Sequence, residues 1–124
     1  MIIYDAGALI AAERHVRPLW ALHDAALRRA VSPVVPAGVL AQVWRAGPQE
    51  DLSRLLAGCT VSPLDESLAR AAGTLCAQAG TSDVIDASVV VLAHVMAAPV
   101  VTGDAADLRT LADAAGWPMT LHEI

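Results

Sequence analysis

Short apolar runs rich in β-branched residues alternate with helical stretches along the whole chain, and this alternation restricts the fold more than any other feature. Strands are predicted over residues 2–4, 31–35, 59–64, 99–102 and 119–121. Helices are predicted over residues 7–14, 18–29, 37–45, 50–57, 65–79, 83–96 and 104–115. Because apolar strands separated by helices form parallel sheets that are covered on both faces, we expect an α/β fold with four to five short parallel strands flanked by helices.

The size and composition of the chain fit a single domain over residues 1–124. Its hydrophobic fraction of 56% excludes a disordered chain, and much of that fraction is alanine, which favours helix. The longest apolar stretch contains Asp86 and is broken by Pro99, so it predicts a buried helix followed by a strand and not a membrane span. The first residues lack the basic region and the cleavage site of a signal peptide, so we expect a cytoplasmic protein with no membrane partner.

The net charge of −5 argues against a broad nucleic-acid-binding surface, since phosphate groups are usually neutralised by a basic one. Acidic side chains gathered in one cleft are a different case, because a bound cation can invert the local field. The position of the carboxylates therefore matters more than their number.

Two carboxylates follow predicted strands at the edge of the sheet where ligands bind. Asp5 comes directly after the first strand, and Asp104 follows the fourth strand. The carboxyl ends of parallel strands meet at one edge, so these two like charges come close together and need a neutralising partner. A divalent cation would supply it, and carboxylates without Cys or His suit Mg²⁺ or Mn²⁺.

Two further carboxylates lie one helical turn from a neighbouring acid. Asp86 is three residues after Asp83, and Asp107 is three residues after Asp104, so each pair shares a helix face. Capping explains part of this pattern without a metal: Asp104 and Asp107 fit an N-terminal cap, and Asp83 fits a first-turn acid beside a Thr81–Ser82 cap. Both interpretations stay open for these three residues, whereas a charge at the end of a buried strand favours function for Asp5.

Three segments together resemble the PIN-domain family, and most closely the VapC toxins of bacterial toxin–antitoxin pairs. Residues 2–11 read IIYDAGALIA and resemble the first-strand motif of the family, whose Asp is a metal ligand. Residues 86–90, DASVV, are similar to its third acidic motif, and residues 101–104, VTGD, followed by Asp107, are similar to its fourth. The resemblance covers essentially the whole chain.

This resemblance implies a Rossmann-like PIN fold, Mg²⁺- or Mn²⁺-dependent cleavage of RNA, a homodimer and a cognate antitoxin. Asp5, Asp86 and Asp104 would be the catalytic metal ligands. Asp83 and Asp107 would be outer ligands or hold water, and the Thr102 hydroxyl would hydrogen-bond a neighbouring carboxylate.

One position departs from the family pattern. Residues 39–45, VLAQVWR, align with the helix that carries the second acidic residue, and Gln42 stands where a Glu is expected. An amide carbonyl can still ligate a cation, but the site loses one negative charge, so metal affinity should fall. The alternative is a PIN-like binding module with a protein partner, in which activity is weakened by Gln42.

Basic and aromatic residues near the cleft are candidates for RNA binding. We expect Arg14, Arg17 and Arg45 to meet the RNA backbone, and Trp44 is a candidate platform for a base. Trp44 can equally be a core or interface residue, like the other tryptophans.

Two other considerations bear on function class. An exposed acidic cleft attracts arginine, so we expect an antitoxin peptide that inserts Arg or Lys. A phosphotransfer domain is disfavoured, because Asp5 has no second Asp two residues later and the chain contains no lysine.

Overall fold

The computed structural model describes all 124 residues, and its centre is one sheet of five parallel strands in the order β3-β2-β1-β4-β5. β1 is the middle strand, since Ile3 pairs with both Val34 and Val100. The three inner strands are fully buried, as expected for apolar strands covered on both faces. The strand bounds are β1 (Ile3–Tyr4), β2 (Val34–Pro36), β3 (Thr60–Ser62), β4 (Val100–Thr102) and β5 (Leu121–Glu123).

Seven helices cover the sheet in two groups. The helix bounds are α1 (Ala6–Glu13), α2 (Arg17–Arg28), α3 (Ala37–Val43), α4 (Glu50–Ala57), α5 (Glu66–Ala79), α6 (Val84–Met96) and α7 (Ala105–Ala115). Helix α1 contacts α2, α3 and α4, whereas α5, α6 and α7 contact one another. Right-handed crossovers place the first group on one face of the sheet and the second group on the other. The α/β fold predicted from the alternation is therefore confirmed.

Several predicted bounds are wrong, and local hydrogen bonds explain the differences. The second strand begins at Val34 and not at residue 31, because Ala30 has a positive φ of 58° and the Val31 N–H donates to the Ala26 carbonyl. The last strand begins at Leu121 and not at residue 119, and the Met119 carbonyl before it accepts a hydrogen bond from the Arg109 guanidinium at 2.9 Å.

The third helix and the cap of the sixth helix also differ from expectation. Helix α3 ends at Val43, two residues early, because Trp44 is extended with ψ of 131°. The cap of α6 is Asp83 and not Thr81 or Ser82, because the Asp83 carboxylate accepts the Asp86 N–H at 3.0 Å.

No single helix is long and apolar enough to cross a membrane; α5 and α6 meet that test only as a pair, and the pair is bent by 109°. Helix α6 is instead a core helix, with an unbroken run of buried residues from Ala87 to Val91.

The direction of chain winding reverses between β1 and β4. From β1 the chain moves to β2 and β3, and it then returns to β4 and β5 on the other side of β1. A crevice opens beyond the carboxyl ends of the strands at such a reversal, and ligands bind there in open α/β sheets. Asp5 and the residues after Thr102 border this crevice.

Candidate functional site

Asp5 sits at the end of the central strand, inside the crevice. Its backbone N–H donates to the Val101 carbonyl at 3.1 Å, which ties it to β4. Its carboxylate caps α1, accepting the Ala8 N–H at 3.2 Å. The side chain is only 8% exposed, so it is one of very few buried charged groups in the chain.

Burial and hydrogen bonding act on Asp5 in opposite directions. Burial raises the pKa of the Asp5 carboxyl, and this is the largest influence. Hydrogen bonds from the Thr102 hydroxyl and from the N–H groups of Ala8, Gly7 and Gly103 lower its pKa and so favour the carboxylate. The Thr102 oxygen also accepts the Asp104 N–H at 3.0 Å. Thr102 thus links the ends of β1 and β4.

Two glycines let the backbone close around Asp5. A Cβ built on Gly7 would collide with the Gly103 backbone nitrogen and would lie 2.6 Å from the Gly103 Cα. The first turn of α1 therefore packs directly on the turn between β4 and α7. No larger residue fits at position 7 without moving one of these two segments.

Gly7→Ala is expected to lower the free energy of unfolding by about 1–3 kcal/mol, because the added methyl meets backbone and not a flexible side chain. Chemical denaturation measures the change. Gly73→Ala in α5 is the matched control: a Cβ there has no atom within 4 Å, so the alanine should stabilise its helix by up to about 1 kcal/mol. Equal effects of the two substitutions would contradict the close packing at Gly7.

The start of α6 brings two more carboxylates to the crevice. Asp83 is the N-terminal cap, and Asp86 lies one turn later and is partly buried. Burial, followed by the negative charge of Asp83 and those of Asp5 and Asp107, raises the pKa of Asp86 to about 7. The influence of Asp5 and Asp107 indicates that the carboxylates after β1, at the start of α6 and on α7 lie near one another.

Helix α7 presents its two acids differently. Asp107 borders a small polar cavity of about 160 Å³ together with Asp83, Asp86, Thr81 and Thr110. Asp104 is exposed and caps α7, accepting the Ala106 N–H at 3.2 Å. The negative charges that act on Asp86 are those of Asp83, Asp5 and Asp107, which with Asp86 make a set of four carboxylates. This set is called the acidic cluster below.

The acidic cluster contains no neutralising side chain. All ion pairs in the chain lie elsewhere, between Asp51 and His15 or Arg54 and between Glu66 and Arg70. Carboxylate oxygens are the ligands that Mg²⁺ and Mn²⁺ prefer, so the donor set fits a divalent cation. As the side chains stand, no three of them are arranged around a single ion. Asp5 and Asp83 each direct one carboxylate oxygen at a helix N-terminus.

A protein-family model decides the family: the PIN domain model matches residues 2–114. The chain belongs to the PIN-domain family. PIN domains are generally nucleases. A search of curated proteins finds no match to the sequence.

Solved structures share the fold of this PIN domain at low sequence identity. VapBC2 from Rickettsia felis, bound to a DNA fragment from its promoter, contains a chain with a TM-score of 0.74 and 15% identity, covering 100% of this chain and 99% of that one. A chain of FitAB bound to the IR36 DNA fragment has a TM-score of 0.66 and 16% sequence identity, and the match covers 99% of this chain and 94% of that one. PAE2754 from Pyrobaculum aerophilum has a TM-score of 0.58 and 21% sequence identity, and the match covers 91% of this chain and 84% of that one.

Gln42 lies on α3 and is not part of the acidic cluster. Gly38, one turn earlier on α3, packs against Ile85 of α6, the neighbour of Asp86. Gln42 follows Gly38 by four residues and so shares this side of the helix, but its side chain is exposed. The amide of Gln42 therefore adds no negative charge on this side of α3.

The predicted RNA-binding residues lie at different distances from the cluster. Arg14 and Arg17 are exposed at the far end of α1, which extends about 12 Å from Asp5 at the usual rise per residue. Arg45 follows α3, and its guanidinium donates to the carbonyls of Trp44 at 2.8 Å and Ala41 at 3.4 Å. Trp44 beside it is 43% exposed, so it is not a core residue.

Sequence reasoning missed Thr110 and the pair of glycines. The Thr110 hydroxyl donates to the Ala106 carbonyl, which leaves its oxygen available at the cavity. Its spacing of three residues from Asp107 was a usable signal for a shared helix face. The contact of Gly7 with Gly103 had no local signal, because it depends on the pairing of β1 with β4.

Proposed function

We propose that this PIN domain is a Mg²⁺- or Mn²⁺-dependent endoribonuclease that serves as the toxin of a toxin–antitoxin pair in the cytoplasm. The observation that carries the proposal is the convergence of Asp5, Asp83, Asp86 and Asp107 at the strand reversal without a neutralising side chain. Asp5 and Asp86 are the central ligands, and Asp104 and Asp107 are the ligands from α7. Asp83 holds water or completes the ligand set.

A cation resolves a conflict that the acidic cluster otherwise creates. A phosphodiester brought to these carboxylates would be repelled, because both partners are negatively charged. When bound, a divalent cation attracts the phosphate, polarises it and lowers the pKa of water at the site. The chain's own residues fix the geometry: four donors orient Asp5, and Thr102 connects it to the turn that carries Asp104.

Arg14, Arg17 and Arg45 would contact the RNA backbone beside the cluster. All three are exposed, and none forms an ion pair with an acidic side chain. Trp44 is exposed next to Arg45, so a base of single-stranded RNA could stack there.

The proposed partners are an antitoxin protein and a second copy of the chain. The antitoxin would place an Arg or Lys in the acidic cluster and displace the cation, because the guanidinium fork matches paired carboxylates. The complexes named VapBC2 and FitAB support this proposal by their similar fold. Tight binding of an antitoxin that leaves cleavage intact would contradict it.

Cleavage of structured RNA is expected to require a divalent cation. The purified chain should cleave RNA with Mg²⁺ or Mn²⁺, fall to background with a chelator and recover when the metal is restored. Calorimetry should show Mn²⁺ binding under the same conditions. Cleavage that persists in the chelator, or an absence of both Mn²⁺ binding and cleavage, would overturn the proposal.

Gln42→Glu is expected to raise Mn²⁺ affinity and cleavage about tenfold, because it restores a carboxylate on the side of α3 that faces α6. This variant separates the nuclease from a weakened binding module. If the wild-type chain binds Mn²⁺ without cleaving RNA, and the Gln42→Glu variant does cleave it, the binding module is the better description of the natural chain.

A further inference from the structure

The loop between α3 and α4 carries two of the residues proposed to contact RNA, Trp44 and Arg45. Residues 44–49 read WRAGPQ, and all of them except Gln49 are exposed. The backbone turns at Ala46, which has a positive φ of 57°. Exposed loops of this kind are usually mobile, but the side chain of Gln49 reaches back across this one. We call residues 44–49 the 44–49 loop.

The Gln49 amide bonds to three separate segments. Its Oε1 accepts the Arg45 N–H at 2.9 Å, and its Nε2 donates to the Val43 carbonyl at 2.9 Å. The same Nε2 donates to both carboxylate oxygens of Glu13 at 3.4 Å. An amide suits this position because Arg45 needs an acceptor, whereas Val43 and Glu13 need donors. One side chain therefore joins the 44–49 loop to the end of α3 and the end of α1.

Helices anchor both partners of the contact between Gln49 and Glu13. The Gln49 carbonyl accepts the Ser53 N–H at 2.9 Å, so the backbone of Gln49 belongs to the first turn of α4. Glu13 is the last residue of α1, and α1 contacts both α3 and α4. Asp51 of α4 also pairs with His15, just after α1, at 3.0 Å. The Gln49 amide thus spans fixed helix ends and restrains the 44–49 loop between them.

The restrained loop presents groups that suit single-stranded RNA. Trp44 is 43% exposed and borders an apolar cavity of about 420 Å³, so the face of a base can stack on its ring. The Arg45 guanidinium donates through Nη1 to two backbone carbonyls at the end of α3, which fixes where this side chain lies. Arg14 directly follows Glu13 and is exposed. The contact between Gln49 and Glu13 therefore has an arginine on each side, and each guanidinium can meet a phosphate.

We propose that Gln49 is a positioning residue for RNA binding. Its amide holds Trp44 and Arg45 beside Arg14, so that one stretch of single-stranded RNA meets all three. This role rests on the proposed function, because RNA is taken as the substrate. Gln49 orders the 44–49 loop before RNA arrives, which removes part of the entropy cost of binding. Its loss should therefore weaken RNA binding and leave the chemical step at the acidic cluster unchanged.

Gln49→Ala is expected to raise the KM and the Kd for single-stranded RNA about tenfold each, with kcat changed by less than about twofold. Steady-state cleavage with Mg²⁺ gives kcat and KM. Fluorescence anisotropy of a dye-labelled single-stranded RNA gives the Kd, with chelator present so that the probe stays intact. Gln78→Ala is the matched control and should leave all three constants unchanged, because Gln78 is exposed on α5, on the other side of the sheet.

An exchange of acid and amide tests the contact with Glu13. Gln49→Glu keeps an acceptor for the Arg45 N–H but sets a second carboxylate against Glu13. The donor to the Val43 carbonyl is lost as well, so RNA binding should weaken about tenfold or more. Adding Glu13→Gln places an amide donor opposite the new carboxylate and should recover about threefold of that loss. Hydrogen exchange of the Arg45 N–H should be at least about tenfold faster in Gln49→Ala than in the wild type, since its acceptor is removed.

Cleavage with an unchanged KM and Kd in Gln49→Ala would overturn the role of Gln49 and leave the proposed nuclease standing. An Arg45 N–H that exchanges equally fast in both proteins would also overturn it, because the amide would then not hold the loop. A chain that never cleaves RNA, but binds the probe less tightly once Gln49 is replaced, would contradict the nuclease and support the role of Gln49. A wild-type chain that neither cleaves RNA nor binds the probe would overturn both.

Discussion

Asp5→Asn is expected to reduce metal-dependent cleavage at least about a hundredfold while leaving the fold intact. Loss of a supporting residue around a metal costs about 10–100-fold in affinity or activity, and loss of a central ligand should cost at least the upper figure. Asn has the same size as Asp, and its carbonyl can keep the Ala8 N–H bond that caps α1. The free energy of unfolding without metal should therefore fall little or rise, because a buried charge is removed.

The chain offers a closely matched control for this variant. Asp65 caps α5 through the same bond, accepting the Leu68 N–H at 2.8 Å, but it is exposed and outside the acidic cluster. Asp65→Asn should leave cleavage and Mn²⁺ affinity unchanged. If Asp5→Asn cleaves as fast as Asp65→Asn, Asp5 is a capping residue only.

The sheet was predictable because its strands carry their own signal. Continuous β-branched runs, such as Val34–Val35 and Val100–Val101, specify buried parallel strands wherever they occur between helices. The position of Asp5 at the carboxyl edge of the sheet was predictable from its place directly after the first strand. In the folded chain α6 lies close enough to the crevice between β1 and β4 for the charge of Asp5 to raise the pKa of Asp86.

The bounds and the internal arrangement of the site were less predictable. The Val31 N–H, for example, bonds to the end of α2 and not to a neighbouring strand, and the periodicity of the sequence gives no sign of this bond. The roles of Asp104 and Asp107 were also not predictable, because the spacing of both residues fits either a helix cap or a metal ligand. The packing of α7 against α6 brings Asp107, and not Asp104, to the cavity that Asp86 borders.

Asp86→Asn is expected to stabilise the metal-free protein above pH 7, by about 2 kcal/mol once the partial exposure of the side chain is allowed for. The pKa of Asp86 rises from its ordinary 3.8 to about 7 on folding, so the folded state holds a proton that the unfolded state has lost. Stability is therefore greatest below about pH 4, falls as the pH rises toward 7 and is low above it. Asn has no charge to desolvate, so the variant should lose none of its stability over this range from position 86.

A divalent metal should reverse the order of stability, so that the wild-type chain becomes more stable than Asp86→Asn. Mn²⁺ binds the folded wild-type chain and stabilises it by an amount that grows with the logarithm of metal concentration. Asp86→Asn removes a central ligand, so Mn²⁺ should stabilise the variant far less than the wild type. The variant should lose cleavage even though its metal-free fold is more stable. Urea denaturation measures the free energy of unfolding of each protein at pH 4 and at pH 8, with chelator and with Mn²⁺. Asp65→Asn should follow the wild type throughout. A wild-type chain whose metal-free stability does not fall between these pH values would refute the electrostatic conflict at Asp86, and with it the reason for placing a cation among these carboxylates.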